Sequence, residues 1–175
     1  TGFLQLHIHK IDGGQFTAEV FDAMPVKTIL RIEAPLGSFY LREDSEKPII
    51  MLAGGTGFAP IKGMLEHMLY NQIQRPVWLY RGARQVEDLY MDDLCQRWVS
   101  FTPTLRYIPV ISGGRDGDGW SGRRGLVHAA VLQDHADLSG FEVYACGAPG
   151  MIDIAKQTFS AQGLPEDAFF SDAFT

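Results

Sequence analysis

The amino-acid sequence predicts an α/β domain with a doubly wound parallel sheet over residues 47–175, preceded by a segment of another type over residues 1–46. Two observations support this prediction. Short, continuous apolar runs recur in the second part of the chain, and stretches with the apolar spacing of amphipathic helices lie between or after them. Strands that alternate with helices are typical of a parallel sheet that is covered on both faces.

The first segment has a different pattern. Residues 4–9 alternate apolar and polar side chains, as a half-buried strand does, and residues 28–33 suggest a second strand. A glycine-containing stretch, residues 13–17, lies between these two runs. We therefore expect two strands that are separated by a turn.

The second segment starts with a strand, a glycine-rich turn and a helix. The strand is the apolar run at residues 49–53. Between Ile61 and Leu69, apolar side chains recur at the i, i+3, i+4, i+7, i+8 spacing of an amphipathic helix. Later elements are expected as strands at residues 77–80, 105–111 and 141–145, a loop at 112–120, helices at 125–132 and 151–159, and a last strand within 169–175.

Composition excludes several classes of function. The chain has 175 residues and a net charge of -6, without a run of Lys or Arg that would bind a phosphodiester backbone, so no nucleic-acid partner is expected. No apolar stretch approaches the roughly 20 residues of a membrane helix, so we expect a cytoplasmic protein without a membrane partner. Cys95 and Cys146 are too few for a disulfide framework or a four-thiolate cluster, and we expect no metal site.

The turn after the first strand has the strongest chemical signal. Gly54, Gly55, Thr56 and Gly57 allow a ligand to approach the backbone closely, and Pro60 follows where the helix should begin. Free N–H groups at the positive end of a helix bind a pyrophosphate well. The alternative is a tight turn with a purely structural role.

A second glycine turn, residues 146–151, follows the fourth predicted strand. The first and fourth strands of a doubly wound sheet are neighbours at the topological switch point, so both turns should open into one crevice. Cys146 either shapes this crevice or is a small buried apolar residue. No base lies beside it in the sequence, which argues against a nucleophilic thiol.

Dinucleotide-binding domains of the common type carry a ribose-binding acid at the end of the second strand. This position is occupied here by residues 81–84, and the last of these is Arg84. An arginine at this place could accept a 2′-phosphate.

Taken together, these motifs resemble the ferredoxin–NADP reductase-like flavoprotein superfamily. Within it, the chain is most similar to CDP-6-deoxy-delta-3,4-glucoseen reductases and related oxygenase reductase components. The resemblance covers essentially the whole chain and rests on GGQFT, LRIEAPLGSFYLRED, IIMLAGGTGFAPIKGMLEHM, LYRGAR with DLY, YIPVIS, WSGRRGLVH, VYACGAPGMID and FFSDAF. Each motif alone is weak, but the combination is specific.

The resemblance implies FAD and NADH as cofactors, with NADPH possible, and it assigns residues to each. The dinucleotide is expected at Gly54, Gly55, Thr56, Gly57, Pro60, Arg84, Cys146, Gly147, Pro149 and Met151. The flavin pyrophosphate is expected at Gly14, Gln15, Phe16 and Thr17, for which an ordinary turn is the alternative. Cys146, Phe174 and Asp172 are expected around the reacting rings, with Phe174 covering the flavin unless it is a frayed end.

The family places an RxYS-type flavin motif upstream of these segments, and this sequence contains none. Residues 1–46 are therefore expected to be the C-terminal part of an antiparallel FAD-binding β-barrel, with the earlier strands missing, before an NAD(P)-binding domain at residues 47–175. An iron–sulfur cluster is expected only in a separate domain or partner protein.

The expected function is that of a reductase component, which transfers a hydride from NADH to a flavin and passes electrons to an iron–sulfur centre or a protein acceptor. One alternative is an NAD(P)H:flavin oxidoreductase that uses a dissociable flavin. The other is that this chain by itself is a dinucleotide-binding module without activity.

Overall fold

A computed structural model describes residues 4–34, 36–114 and 119–173 of the chain. The chain divides into two compact units, Thr1–Ser38 and Phe39–Thr175. The domain boundary predicted between residues 46 and 47 stays a prediction.

In the unit Thr1–Ser38, the described residues form one short helix, α1 (Gln15–Ala18), and a π-helical turn, Glu19–Ala23. The strands predicted at residues 4–9 and 28–33 are absent from this described part, so that prediction was wrong. Alternating side chains supply a strand with an apolar face, but the strand also needs a hydrogen-bonded neighbour. Several of the apolar side chains in these two runs are exposed, including Leu4, Leu6, Ile29 and Ile32.

The unit Phe39–Thr175 contains a sheet in which every strand pairing is parallel. Its strands are β1 (Ile49–Gly54), β2 (Val77–Ala83), β3 (Leu105–Ile111), β4 (Arg123–Arg124), β5 (Glu142–Gly147) and β6 (Phe169–Ala173). Their spatial order is β4-β3-β2-β1-β5-β6. The chain therefore winds outward from β1 in one direction and then returns to build β5 and β6 on the other side, which confirms the doubly wound sheet.

Helices cover both faces of this sheet. They are α2 (Phe58–Tyr70), α3 (Asp92–Phe101), α4 (Val127–Asp134) and α5 (Pro149–Ala161). In β1, Met51 packs in the core beside α2 and α3, whereas Ile50 and Leu52 pack in the core beside α4 and α5. A strand that is buried on both faces requires a continuous apolar run, and the sequence of β1 provides one.

A buried ion pair holds the segment that precedes β1. The Arg75 guanidinium lies 2.7 Å from a carboxylate oxygen of Glu142, and it also donates hydrogen bonds to the carbonyls of Lys47, at 2.8 Å, and Arg42, at 2.7 Å. Because Glu142 starts β5, these bonds tie the segment to the amino end of the sheet.

No helix among the described residues is both long enough and apolar enough to span a membrane. Likewise, the described part of the chain contains no group of three or more His, Cys, Asp or Glu side chains that could hold a metal ion.

Candidate functional site

The two glycine turns meet at the carboxyl ends of β1 and β5. These strands pair directly, with Ala53 opposite Cys146, and the turns begin with the next residues, Gly54 and Gly147. On the chain, β1 leads to β2 and β5 leads to β6, so this point is the topological switch of the sheet. The predicted convergence of the two turns is confirmed, and open α/β sheets bind their ligands at such a point.

The first turn passes through a 3-10 turn, Gly55–Gly57, directly into α2. Gly55 is exposed and has a φ of +53°, in the left-handed region that glycine adopts most readily. A Cβ atom at this position would have no heavy atom within 4 Å. The backbone around Gly55 is therefore open to a ligand. The N–H of Phe58 is bonded to the carbonyls of Gly55 and Thr56, so the donors that begin this helical path are those of Gly55–Gly57.

Gly57 has a different role from the one the sequence indicates. We expected its missing side chain to leave room for a ligand, but a Cβ atom on Gly57 would overlap the carbonyl group of Cys146 and lie 2.7 Å from the nitrogen of Gly147. Its φ is −58°, which any residue can adopt. Gly57 is thus needed because the two turns pack backbone to backbone.

Pro60 was expected at the first position of the helix and is instead the third residue of α2, which begins at Phe58. The difference arises because the 3-10 turn extends the helical path before Pro60. Proline is tolerated at the third position of an α-helix as well as at the first, because the first N–H groups of a helix have no acceptor within it.

The second turn is formed around Gly147 and Met151. Gly147 has a φ of +148°, and Pro149 is the first residue of α5. The Met151 sulfur lies 3.0 Å from the position that a Cβ atom of Gly54 would take, and its terminal methyl lies 2.9 Å from the corresponding position at Gly147. Met151 therefore fills the space between the two turns. This space exists because Gly54 and Gly147 have no side chains.

The Cys146 side chain is completely buried, in the core that includes Phe58 and Tyr144. Burial, together with the negative charge of Asp172, raises the pKa of the Cys146 thiol to about 12. Such a thiol stays protonated at neutral pH, so it is neither a nucleophile nor a base there. Its backbone forms one wall of the junction between the turns.

The C-terminal strand lies where it was predicted. β6 pairs in parallel with β5, and Asp172 is the partner of Cys146 in that register, with its side chain exposed. Asp172 is thus at the same edge of the sheet as the two turns. Phe174 lies outside the described residues, and its predicted place over the flavin ring stays a prediction.

Arg84 follows β2 directly and is exposed at the same edge of the sheet. Its carbonyl accepts a hydrogen bond from the N–H of Gly113 at 2.8 Å. This bond joins the loop after β2 to the loop after β3. Arg84 therefore lies at the carboxyl end of the strand next to β1. A ribose contact by Arg84 is compatible with this position and stays a prediction.

The segment predicted to bind the flavin pyrophosphate is a tight local turn. Gly14 precedes α1, and the Thr17 hydroxyl lies 3.2 Å from both the N–H and the carbonyl of Ile11 and 3.3 Å from the carbonyl of Gly14. The side chain of Phe16 is about half exposed. The Thr17 hydroxyl therefore stabilises the turn itself, and the binding of flavin by residues 14–17 stays a prediction.

Sequence reasoning did not identify two buried features near the sheet. Arg81, in β2, is buried although it was noted only as part of the motif that ends at Arg84. His128, in α4, is also buried. An arginine inside an apolar run is the one signal that could have identified the first of these.

A family model described as "Oxidoreductase NAD-binding domain" matches residues 51–157. Protein RfbI of Salmonella typhimurium is 43% identical over 172 residues, which are 98% of this chain and 51% of that protein. The CDP-6-deoxy-L-threo-D-glycero-4-hexulose-3-dehydrase reductase of Yersinia pestis is 44% identical over 173 residues, with coverages of 99% and 51%.

Among solved structures, the cytochrome P450 reductase GcoB of Amycolatopsis is similar with a TM-score of 0.79 and 26% identity. The match covers 96% of this chain and 51% of that one. The chain thus spans about half the length of each of these three proteins.

Proposed function

Because the chain belongs to the family of oxidoreductase NAD-binding domains, we propose that it binds NADH at the carboxyl ends of β1 and β5 and is the nicotinamide-binding part of a reductase component. In the whole protein, a hydride passes from NADH to FAD, and electrons then pass to an iron–sulfur centre or a protein acceptor. The similarity to a protein that is named a reductase supports this chemistry.

One observation carries the proposal: two glycine turns from strands far apart in sequence are packed against each other at the switch point. A single glycine turn is common in proteins without a ligand. Two such turns, each followed by a helix N-terminus, lie side by side at the switch point, and the positive ends of the two helices suit the phosphates of a dinucleotide.

The residues of the crevice fit such a ligand. The open space around Gly55 admits phosphate groups to the backbone of residues 55–57, where the positive end of α2 stabilises their charge. Gly147 and Met151 then define the nicotinamide side. Bound NADH would supply the hydride, and the chain's own residues bind and orient the dinucleotide.

Acid–base chemistry by the side chains is not part of the proposal. The thiol of Cys146 stays protonated because burial raises its pKa to about 12. Cys146 and Gly147 shape the pocket in this proposal, and Asp172 lies at its edge.

For the flavin, we propose contacts from Gly14, Gln15, Phe16 and Thr17, and a covering aromatic ring from Phe174. The amide groups at the start of α1 are the feature that supports a pyrophosphate contact, as at other helix N-termini. We also propose a cytoplasmic location, because this compartment supplies NADH to reductases and keeps thiols such as Cys95 and Cys146 reduced.

The proposal is tested by anaerobic mixing of the native protein, purified with its flavin, with NADH. We expect the visible absorption of the flavin to bleach in a single turnover, at a rate that saturates with NADH concentration. A bound flavin that NADH does not reduce would refute the proposal. Flavin that is lost on desalting, but is reduced when added back, would favour the alternative of a dissociable flavin substrate.

A further inference from the structure

Arg81 is a charged residue in an otherwise apolar part of β2. Its side chain is 3% exposed, and in the sheet register it lies beside Ala53, the residue before the first glycine turn. A neutral side chain of similar length would fill this space without the cost of burying a charge. The position of the charge therefore calls for an explanation.

The guanidinium of Arg81 connects the starts of two helices. Its central carbon lies 3.9 Å from the ring centroid of Phe58, the first residue of α2, and 5.1 Å from that of Tyr90, which lies just before α3. It also donates a hydrogen bond to the Tyr90 carbonyl at 2.8 Å. Aromatic faces and a carbonyl hold the guanidinium in place, but they do not neutralise its charge.

Among the described residues, Arg81 forms no ion pair with a carboxylate. Arg75, which is similarly buried, is paired with Glu142 at 2.7 Å. Asp92, at the start of α3, accepts a hydrogen bond from the Tyr107 hydroxyl at 2.6 Å. The charge of Arg81 is thus placed behind the start of α2 without an ion-pair partner among these residues.

We propose that Arg81 is a positioning residue for the dinucleotide: its buried charge adds to the positive end of α2 and strengthens the binding of the pyrophosphate at residues 55–57 without touching it. This inference rests on the proposed function. A buried charge is screened by salt much less than a surface charge. The guanidinium packs on Phe58, the residue that directly follows the turn, so its field acts on the phosphates bound there. The phosphates are in turn the anion that compensates Arg81.

The test compares Arg81→Met and Arg81→Lys in the full chain, with calorimetric titration of NADH and of adenosine, which lacks phosphates. Arg81→Met should weaken NADH binding about tenfold, because a unit charge is lost near two phosphates. Arg81→Lys keeps the charge and should stay within about threefold of the unchanged chain. Adenosine binding should be the same in all three proteins.

Arg106→Met is the matched control. Arg106 is an exposed arginine on β3, 5.4 Å from the ring centroid of Trp78, and its removal changes the net charge equally. It should leave NADH binding unchanged.

Three outcomes would overturn the inference. Unchanged NADH affinity in Arg81→Met would show that the charge has no effect, and equal losses for NADH and adenosine would show a structural role. Failure of both Arg81 variants to fold would also assign Arg81 to the core alone. If the unchanged chain binds no NADH at all, the proposed function fails first, and the two failures are thereby distinguished.

Discussion

Gly57 and Cys146 are packed backbone to backbone, although 88 positions of the chain separate them. A Cβ atom on Gly57 would overlap the Cys146 carbonyl group. This contact joins the turn after β1 to the turn after β5 at the switch point of the sheet.

Gly57→Ala should destabilise the fold as well as weaken ligand binding. The added methyl group can be accommodated only if one of the two turns moves, which costs about 1 to 3 kcal/mol of the free energy of unfolding. Urea unfolding, followed by circular dichroism, measures this loss.

Gly63→Ala is the control for this prediction. Gly63 lies within α2, and a Cβ atom there would meet no heavy atom within 4 Å. Alanine in a helix is favoured over glycine by about 0.5 to 1 kcal/mol, so this variant should be slightly more stable than the unchanged chain. Equal stabilities of the two variants would remove the packing argument for Gly57.

We predict that the whole protein prefers NADH to NADPH. Among the residues assigned to the site, Arg84 is the one that favours a 2′-phosphate. Arg84→Ala should therefore reduce turnover with NADPH about tenfold more than turnover with NADH, because one charge-assisted hydrogen bond to the 2′-phosphate is lost. Turnover with each cofactor decides the matter. A preference of the unchanged protein for NADPH would contradict the prediction.

Neither cysteine should react with a thiol reagent near neutral pH. Burial raises the pKa of the Cys95 thiol to about 11 and that of Cys146 to about 12, and both side chains are inaccessible. Both thiols should react rapidly when urea unfolds the chain. Fast modification of one thiol in the folded chain would show that the crevice opens to solvent at this point.

The free energy of unfolding should decrease as the pH falls below about 6.5. Burial lowers the pKa values of His128 and His135 from the ordinary value of 6.5, so the unfolded chain binds more protons than the folded chain in that window. The free energy of unfolding contributed by the neutral rings is complete above pH 6.5. It is lost as the pH falls from 6.5 to the lowered pKa values of the two rings.

His128→Phe should make this decrease smaller, because one of the two rings no longer takes up a proton on unfolding. Urea unfolding at a series of pH values measures the slope. Parallel curves for the variant and the unchanged chain would show that His128 does not contribute.

The parallel sheet could be predicted because strands buried on both faces need continuous apolar runs, as in β1. β3 was placed at its observed bounds, residues 105–111, although it includes the exposed Arg106. No range was predicted for the helix α3, although its sequence carries a helical signal. Leu94, Cys95, Trp98 and Val99 lie at helical spacing and pack in or against the core.

The strands expected at residues 4–9 and 28–33 could not be judged from sequence, because a strand depends on a neighbour that alternation does not identify. The site likewise could be predicted only in part. The glycines at positions 54–57 are visible in the sequence, but the reason for Gly57 lies in a contact with Cys146, which local sequence does not contain.

The central claim, that the turn at residues 55–57 binds the phosphates of a dinucleotide, is tested most directly by titrating NADH into the chain and its variants Gly55→Asn and Gly55→Asp. Both new side chains tolerate the left-handed backbone of Gly55 and have nearly the same shape, so only the charge differs. We predict that Gly55→Asp binds NADH at least about tenfold more weakly than Gly55→Asn, because its carboxylate repels the phosphates. Equal affinities of the two variants would contradict the claim.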